Sequence, residues 1–447
     1  MTRITFAHFL SPLLLLPSAA SALGFADGVK MGEVTHNSVV IWTRLTKNAD
    51  ANHRVDEWNA KQPHWRVPGQ AGTLRFSLQE PGSSMPIGQT PVNVDGNSDF
   101  CHQVVFTDLK PATKYEVTIQ GKSDDEVAET HSSFTTAPRP SAEGPIHFAV
   151  STCQDFPRRD DKANGHRIYK SMLADNPDFF IQTGDTLYYD KPQPFATDMP
   201  TARYKWNRIY ALPYLREFHQ SIPSYWMHDD HDVLKDDCWP GQKSGDLTWE
   251  QGLKIWREQV PQNDKPYRTL RWGKHLQIWL PEGREYRSPN TREDGPEKTI
   301  LGMEQWEWLE KTMKESDATF KLYISATPVV GPDRKSKEDN HSNEGFHHEG
   351  ERLRKFLTAI PGCFVINGDR HWQYHSIDPE TKLNEFGSGP ASDEHAGGFS
   401  MKQQEKWQPF LRIKGGYLSV LVTGEKAVVV HHDVDGKPVN ETVIVAP

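Results

Sequence analysis

The chain has 447 residues, a formal net charge of −9 and 25% charged residues. Its length favours two or three domains over one, and its 14 tryptophans exclude a disordered chain. The mild acidic charge lacks the basic surplus of nucleic-acid-binding proteins, so no nucleic-acid-binding face is expected.

Residues 1–22 have the pattern of a secretory signal peptide. One early arginine precedes an apolar stretch, and residues 20–22 (ASA) form an A-x-A cleavage site. The alternative, a membrane anchor, is disfavoured by Pro12, Pro17 and the short apolar run. Because no twin-arginine pair is present, Sec-type export to the periplasm or the outside of the cell is expected. No later segment is apolar enough to span a membrane, and we expect a monomer.

Residues 24–138 are predicted to form an N-terminal β-sandwich domain, because short segments rich in β-branched and aromatic residues alternate with turns. The segment LKPATKYEVTIQG, followed by SSFTTAP, resembles an immunoglobulin or fibronectin type III module, with Leu109 and Tyr115 at a corner of the core. The polar insert from Lys47 to Gly72 is expected to be a surface loop. The predicted strands are 38–46, 73–80, 101–109, 114–121 and 131–138.

After a Pro- and Gly-containing linker at residues 137–145, the pattern changes to alternating strands and helices. We predict an α/β domain over residues 145–440. Its predicted strands are 146–152, 178–184, 224–228, 319–327 and 363–368, its predicted helices are 165–175, 301–316 and 349–360, and two further strand segments follow at 416–424 and 426–436.

Four of the predicted strands of this second domain end in polar residues. The four sets are residues 151–155, 184–188, 228–232 and 368–371. Because the carboxyl ends of parallel strands meet at one edge of a sheet, we expect these groups to lie on one rim. The residue types Asp185, Asp230, Asp369 and His371 suit two hard or borderline cations.

Three neighbouring positions refine this interpretation. Gly184 lets the backbone turn so that Asp185 points into the site. Only one of the adjacent Asp229 and Asp230 is expected to reach a metal, and Asp230 is preferred because it precedes His231.

Tyr188 bears on the identity of the metal. A phenol has a pKa of about 10, so it binds as phenolate only beside a strongly acidic ion, which favours Fe³⁺ over Zn²⁺, Mn²⁺ or Mg²⁺. A Cys153 thiolate would reinforce this choice; the alternative is a small buried residue, as most free cysteines are. A disulfide among Cys101, Cys238 and Cys363 stays open, because its pairing cannot be read from sequence.

The motifs FAVSTCQ, QTGDTLYYD, WMHDDHDV, EGREYRSP and NGDRH, in this order, resemble those of the PhoD-like alkaline phosphatases. That family is a branch of the calcineurin-like metallophosphoesterases, and the segment LGFADGVKMGEVTHNSVVIWTRL is similar to its N-terminal domain. The resemblance implies a calcineurin-like layered β-sandwich flanked by helices, preceded by an all-β immunoglobulin- or fibronectin-III-like domain.

The resemblance also implies a metal arrangement and a catalytic residue. Fe³⁺ would be held by Cys153, Asp185, Tyr188 and His371. A second metal, often Ca²⁺ in the family, would be bridged by Asp185 and completed by Asp230 and Asp369. His231 would lie near the leaving group.

Two positions and one motif depart from the family pattern. His228 stands where Trp is usual, and Asp232 stands where Glu is usual. The motif written D-T-R-x-Y-R is EGREYR here, residues 282–287.

The expected activity is hydrolysis of phosphate monoesters or diesters, small or polymeric, by a metal-bound hydroxide. His231 is the expected general acid, and Arg158, Arg284 and Arg287 are candidates for contacts to phosphate oxygens. The alternative is a secreted carbohydrate- or surface-binding protein with a decayed phosphatase domain; the complete set of ligand-type residues counts against it. The charged run at residues 332–340 is expected to be a solvated loop.

Overall fold

The computed structural model describes residues 23–51, 67–192, 194–263 and 265–447. The predicted signal peptide and most of the predicted insert, residues 52–66, lie outside the described residues. Within the described part, no helix has both the length and the apolar character needed to cross a membrane.

The described residues of the first part of the chain form strands, with one short 3₁₀ turn. These strands are β1 (Val29–Gly32), β2 (Val39–Arg44), β3 (Gly72–Gln79), β4 (Ile87–Gly88), β5 (Val92–Val94), β6 (Cys101–Phe106), β7 (Lys114–Ser123) and β8 (Glu126–Thr135).

The second part of the chain alternates strands and helices. It begins with β9 (Ile146–Ser151), α1 (Arg167–Asp175), β10 (Phe179–Thr183), α2 (Met199–Tyr210), α3 (Pro213–His219), β11 (Ser224–Met227), α4 (Asp230–Val233), β12 (Lys243–Ser244), β13 (Leu247–Thr248) and α5 (Trp249–Gln259). It continues with β14 (Arg268–Trp272), β15 (Leu276–Leu280), α6 (Met303–Glu315), β16 (Phe320–Ser325), α7 (His347–Thr358), β17 (Cys363–Asn367), β18 (Gln373–Ile377), β19 (Asn384–Ser388), β20 (Phe410–Arg412), β21 (Tyr417–Val422), β22 (Lys426–His432) and β23 (Pro438–Val445).

Two large sheets form the centre of the molecule. One has the order β23-β22-β21-β9-β10-β11-β1-β2-β6, and the other has the order β14-β15-β16-β17-β19-β18-β20. In the first sheet β9, β10 and β11 are parallel neighbours, and in the second β15, β16 and β17 are. The carboxyl ends of these strands therefore bring several loops together, as the strand-end motifs predicted.

Along each of these strands, the side chains alternate between the core that lies between the two sheets and a core on the helix side, as the two-residue period of a strand requires. On β10, Phe179 and Ile181 join the core between the sheets, whereas Phe180 faces the core that contains α1, α2, α3 and α5. On β16, Leu322 joins the core between the sheets and Tyr323 faces α6 and α7. The layers are therefore helices, sheet, sheet and helices, as the expected calcineurin-like arrangement requires.

The N-terminal strands are divided between two sheets. Strands β3, β4, β5, β7 and β8 form a five-stranded sheet, whereas β1, β2 and β6 extend the nine-stranded sheet. The junction is a parallel pairing of β1 with β11, in which Gly32 lies opposite Ser224. The two parts of the chain consequently share one continuous sheet and one core, in which Phe76 and Phe148 both lie. The immunoglobulin- or fibronectin-like character of the first part stays a prediction.

Candidate metal centre

Four of the predicted metal ligands meet at the ends of β9, β10 and β17. Cys153 Sγ lies 3.3 Å from Asp185 Oδ2, and the Tyr188 hydroxyl lies 3.0 Å from the same oxygen. The Tyr188 hydroxyl is also 3.3 Å from His371 Nε2. Ligand atoms of Cys153, Asp185 and His371 lie within 4.8 Å of one another, so sulfur, oxygen and nitrogen donors surround one point.

A second group of carboxylates shares Asp185 with the first. Oxygens of Asp185, Asp229 and Asp369 lie within 4.8 Å of one another. Among the described residues, Asp185 Oδ1 and Asp229 Oδ2 are buried and accept no hydrogen bond. Since a buried carboxylate oxygen without a donor is costly, a bound cation would satisfy both. The donors present therefore fit a metal cofactor.

Asp230, which the sequence favoured over Asp229, also lies close to Asp185, in a group with His231. Its carboxylate is engaged by the protein, however. Asp230 Oδ1 accepts the backbone N–H of His231 at 2.9 Å, and Oδ2 accepts that of Asp237 at 2.5 Å. Asp229 therefore has the freer oxygen for a cation.

Three of the candidate ligands have strained backbones. Cys153, Asp185 and Asp369 have φ values of 52°, 52° and 61°, in the left-handed region that non-glycine residues rarely adopt. Gly184, with φ of 93°, precedes Asp185, and a Cβ on it would lie 2.7 Å from the Asp229 Cβ. The predicted sharp turn at Gly184 is confirmed, and it also allows the β10 and β11 loops to approach each other.

Asp232 fixes these two loops. Its Oδ2 accepts the backbone N–H of Asp185 at 2.8 Å and that of Asp229 at 2.9 Å, and its Oδ1 accepts that of Leu187 at 3.3 Å. Sequence reasoning noted Asp232 only as a departure from the family pattern. The structure shows that it positions two of the candidate ligands.

Burial controls the charge of the first group. Desolvation, reinforced by the Asp185 carboxylate, raises the pKa of both the Cys153 thiol and the Tyr188 phenol well above their usual values. Desolvation also raises the pKa of Asp185. The thiol and the phenol therefore resist ionisation, and a cation would supply the positive charge that allows them to ionise.

His231 lies at the edge of the site. Its Nδ1 is 2.7 Å from Asp190 Oδ1, and its ring centroid is 4.4 Å from that of Tyr188. Burial opposes a charge on the ring, but Asp230, Asp185 and Asp190 outweigh it and raise the pKa of His231 to about 10. His231 is thus held as a proton donor beside the ligands.

The three predicted arginines differ in their surroundings. Arg158 is half-exposed and pairs with Asp155 at 3.4 Å. Arg284 is buried, with Nε 2.5 Å from Asp229 Oδ1, and Arg287 is buried and bonds to the Asp339 carbonyl at 2.5 Å. Arg284 thus supports the Asp229 carboxylate, whereas Arg287 holds the backbone of Asp339.

The prediction of a solvated loop at residues 332–340 holds only in part. Lys335, Ser336 and Glu338 are exposed, whereas Asp339 and Asn340 are buried and the Asp333 side chain is 1% exposed. Asp339 Oδ2 lies 3.2 Å from Arg284 Nη2, and Asp333 pairs with Arg370, next to Asp369. The Asp333 and Asp339 carboxylates are buried because arginines at the strand ends neutralise them.

Comparisons with known proteins identify the family of this chain. The model of the PhoD-like phosphatase family matches residues 148–415, and that of the PhoD-like phosphatase N-terminal domain matches residues 13–138. Alkaline phosphatase D of Bacillus subtilis (strain 168) is 22% identical over 410 residues, which cover 80% of this chain and 66% of that protein, slightly less than two thirds of its length.

Two solved structures share the fold. A structure of PhoD superposes with a TM-score of 0.75 at 18% identity, covering 96% of this chain and 90% of that chain. The purple acid phosphatase PPD1 from yellow lupin (Lupinus luteus) seeds superposes with a TM-score of 0.67 at 11% identity, covering 95% of this chain and 74% of that chain. The family model matches more than half of the residues of this chain. The chain therefore belongs to the PhoD-like phosphatase family, a family of phosphoric ester hydrolases.

Proposed function

We propose that this chain is an exported metal-dependent phosphoesterase that hydrolyses phosphate monoesters or diesters at a two-metal site. The observation that carries the proposal is the position of Asp185, which belongs both to the Cys153–His371 group and to the Asp229–Asp369 group. A carboxylate shared by two donor sets suits two cations about 3.5–4 Å apart.

The donor types support Fe³⁺ in one site and Ca²⁺ in the other, rather than Zn²⁺, Mn²⁺ or Mg²⁺. Cys153, Asp185, Tyr188 and His371 would hold Fe³⁺, because a phenolate and a thiolate favour a strongly acidic ion. Asp185, Asp369 and one of the Asp229–Asp230 pair would hold Ca²⁺ through oxygen donors.

Two bound cations would neutralise the ester oxygens and lower the pKa of water at the site. The His231 Nδ1–H donates to Asp190, which fixes the ring, so His231 Nε2 is left to transfer a proton. His231 then protonates the leaving oxygen as general acid. The surrounding carboxylates stabilise the protonated ring before this transfer.

Arg158, Arg284 and Arg287 are proposed as contacts to the remaining phosphate oxygens. The Arg158 side chain is 44% exposed, and turning toward a substrate would exchange its contact with Asp155 for one with a phosphate oxygen. Within the described residues, Arg284 Nη1 and Arg287 Nη1 are buried and have no hydrogen-bond acceptor, which a phosphate oxygen would provide.

The proposed organisation has three parts. Residues 1–22 would be a Sec-type signal removed after Ala22, residues 24–138 the N-terminal sandwich domain and residues 145–440 the catalytic domain. Secretion from a native host, followed by N-terminal sequencing, tests the first part: the mature chain should begin at Leu23.

The decisive test combines elemental analysis of the natively purified protein with hydrolysis of nitrophenyl phosphate and bis-nitrophenyl phosphate. Asp185→Asn should remove both metal and activity. Asp317→Asn, at a side chain that is 92% exposed, is the matched control and should change neither. Tyr188→Phe should abolish the visible absorption that a phenolate–Fe³⁺ pair gives.

The outcomes separate the alternatives. A colourless, active protein containing another metal would refute the iron assignment but not the hydrolase. A folded protein without metal and without hydrolysis of either ester would support the binding protein with a decayed site.

A further inference from the structure

The segment from Gly389 to Gly398 contacts the backbone of two candidate ligands that come from different sheets. The Ala391 N–H donates to the Cys153 carbonyl at 3.3 Å, and the Gly397 N–H donates to the His371 carbonyl at 3.0 Å. Cys153 follows β9 of the first sheet and His371 follows β17 of the second. This segment therefore connects the two sides of the Cys153–Tyr188–His371 group.

His395 is the side chain that this segment places in the group. It is 2% exposed. Its ring centroid lies 4.1 Å from that of His371 and 5.2 Å from that of Tyr188. Its Nδ1 is 3.0 Å from the Cys153 carbonyl oxygen, at the strained residue with positive φ.

The hydrogen bond to Cys153 fixes how the ring can act. A carbonyl oxygen only accepts, so the proton lies on Nδ1. In the described part of the chain, no carboxylate forms an ion pair with His395, and its buried Nε2 has no hydrogen-bond partner. With a neutral ring, Nε2 is an acceptor whose direction is set by Nδ1.

A buried acceptor without a donor is unfavourable, and such groups in folded proteins commonly mark a bound molecule or a functional site. The rings packed against His395 are those of candidate metal ligands, so the missing donor belongs at the metal centre. We propose that His395 is a positioning residue with two tasks: Nδ1 holds the Cys153 ligand loop, and Nε2 accepts a hydrogen bond from an O–H group, of water or of the substrate, held at that centre.

This inference rests on the proposed metal centre, and three substitutions separate its two tasks. His395→Asn keeps a donor near the Nδ1 position but removes the acceptor. His395→Gln places an amide oxygen near the Nε2 position but removes the Nδ1 donor, and His395→Phe removes both. The matched control is His275→Asn, because His275 is similarly buried but lies beside Thr319, at the opposite ends of the strands.

The first measurement is the metal retained after dialysis against graded EDTA. Residues that support metal ligands typically change metal affinity about 10–100-fold. We expect a loss of this size for His395→Phe and His395→Gln, and a change below about threefold for His395→Asn. The melting temperature of the metal-free protein identifies losses that come only from folding.

The second measurement is steady-state kinetics on the metal-loaded protein. His395→Asn should lower kcat at least about tenfold, as the removal of a group that supports a metal site does. If water is the donor, KM stays constant; if a substrate hydroxyl is the donor, KM rises as well. The Asn and Gln variants test the two tasks of His395 even if the Phe variant fails to fold.

Wild-type metal content and kinetics in the Asn and Gln variants would overturn the inference while leaving the phosphoesterase intact. A wild-type protein that binds no metal would instead refute the proposed function itself. His275→Asn should match the wild type in both measurements.

Discussion

His228 Nε2 lies 3.3 Å from Glu282 Oε1, and this contact joins two positions that both depart from the family's motifs. Both side chains are buried. Glu285 Oε1 lies 3.4 Å from the same nitrogen, and Glu282 also accepts the backbone N–H of Arg284 at 2.8 Å. His228 therefore balances the negative charge of the loop that carries Glu282 and Glu285. In the same loop, Arg284 pairs with Asp229.

We predict that His228→Gln destabilises the protein by about 3 kcal/mol, because it leaves the buried Glu282 carboxylate without its cationic partner. Glu285 keeps its ion pair with Arg257 at 2.9 Å. The free energy of unfolding in urea, measured on the metal-free protein, checks this. His347 and Glu351 provide a matched control, since they form the same type of pair at 3.2 Å but are about half exposed.

His347→Gln should cost less than about 1 kcal/mol, as exposed ion pairs do. A double-mutant cycle of His228→Gln with Glu282→Gln should give a coupling of about 1–3 kcal/mol. A coupling near zero would mean that His228 and Glu282 contribute to stability independently.

A second prediction distinguishes Asp229 from Asp230. Asp229→Asn should weaken binding of the second metal by at least about 100-fold, more than the 10–100-fold typical of residues that only support ligands. Asp230→Asn should cost about tenfold, because the Asp230 oxygens are used by backbone N–H groups.

Titration of the metal-free variants with Ca²⁺ by calorimetry measures both affinities, and the melting temperature checks that each variant is folded. The reverse order of effects would assign the ligand role to Asp230, as the sequence alone suggested.

The sequence brought the candidate ligands together because each follows an apolar strand, and the residues at a strand end can be read from the local sequence. It could not locate Asp339 or His395, because no periodicity marks the loops that carry them. A charged run such as residues 332–340 is solvated in most proteins, and only the positions of Arg284 and Arg370 in the folded chain explain why its Asp339 and Asp333 carboxylates are buried.

For the fold as well, features set by local sequence were predictable and pairings between distant segments were not. The layered α/β domain was predictable from alternating strand and helix patterns. The extension of its sheet by β1, β2 and β6 was not, because the pairing of Gly32 with Ser224 joins positions far apart in the chain. Pairing between distant strands depends on packing that no local pattern encodes.

A third prediction concerns Gly184. Gly184→Ala should destabilise the protein by roughly 3 kcal/mol, because its Cβ would lie 2.7 Å from the Asp229 Cβ and its φ of 93° disfavours a side chain. It should also release the second metal, since Asp229 must move.

Gly82→Ala is the control for backbone strain alone. Gly82 has φ of 79°, but no atom lies within 4 Å of the added Cβ. It should cost about 1 kcal/mol and leave metal binding unchanged. Equal effects of the two substitutions, measured by urea unfolding, would show that the close approach to Asp229 is unimportant.

A fourth prediction concerns acid stability and rests on His431. His431 is buried between Phe386 and Phe410, and its Nε2 lies 3.0 Å from the Tyr374 carbonyl oxygen. Desolvation lowers the pKa of His431 to about 3. Its nearest titratable neighbours, His375 and His432, are also histidines and disfavour its protonation further.

The folded pKa of His431 lies below the unfolded value, so the stability it contributes is complete above about pH 6.5 and is lost as pH falls toward 3. Each pH unit below 6.5 should cost about 1.4 kcal/mol from this group. His431→Gln keeps a donor for the Tyr374 carbonyl but cannot take up a proton. The unfolding free energies of the two proteins, measured in urea at pH 5, 7 and 8, should therefore converge by about 2 kcal/mol between pH 7 and 5 and keep a constant difference between pH 7 and 8. A constant difference across all three values would show that His431 does not contribute to the acid sensitivity.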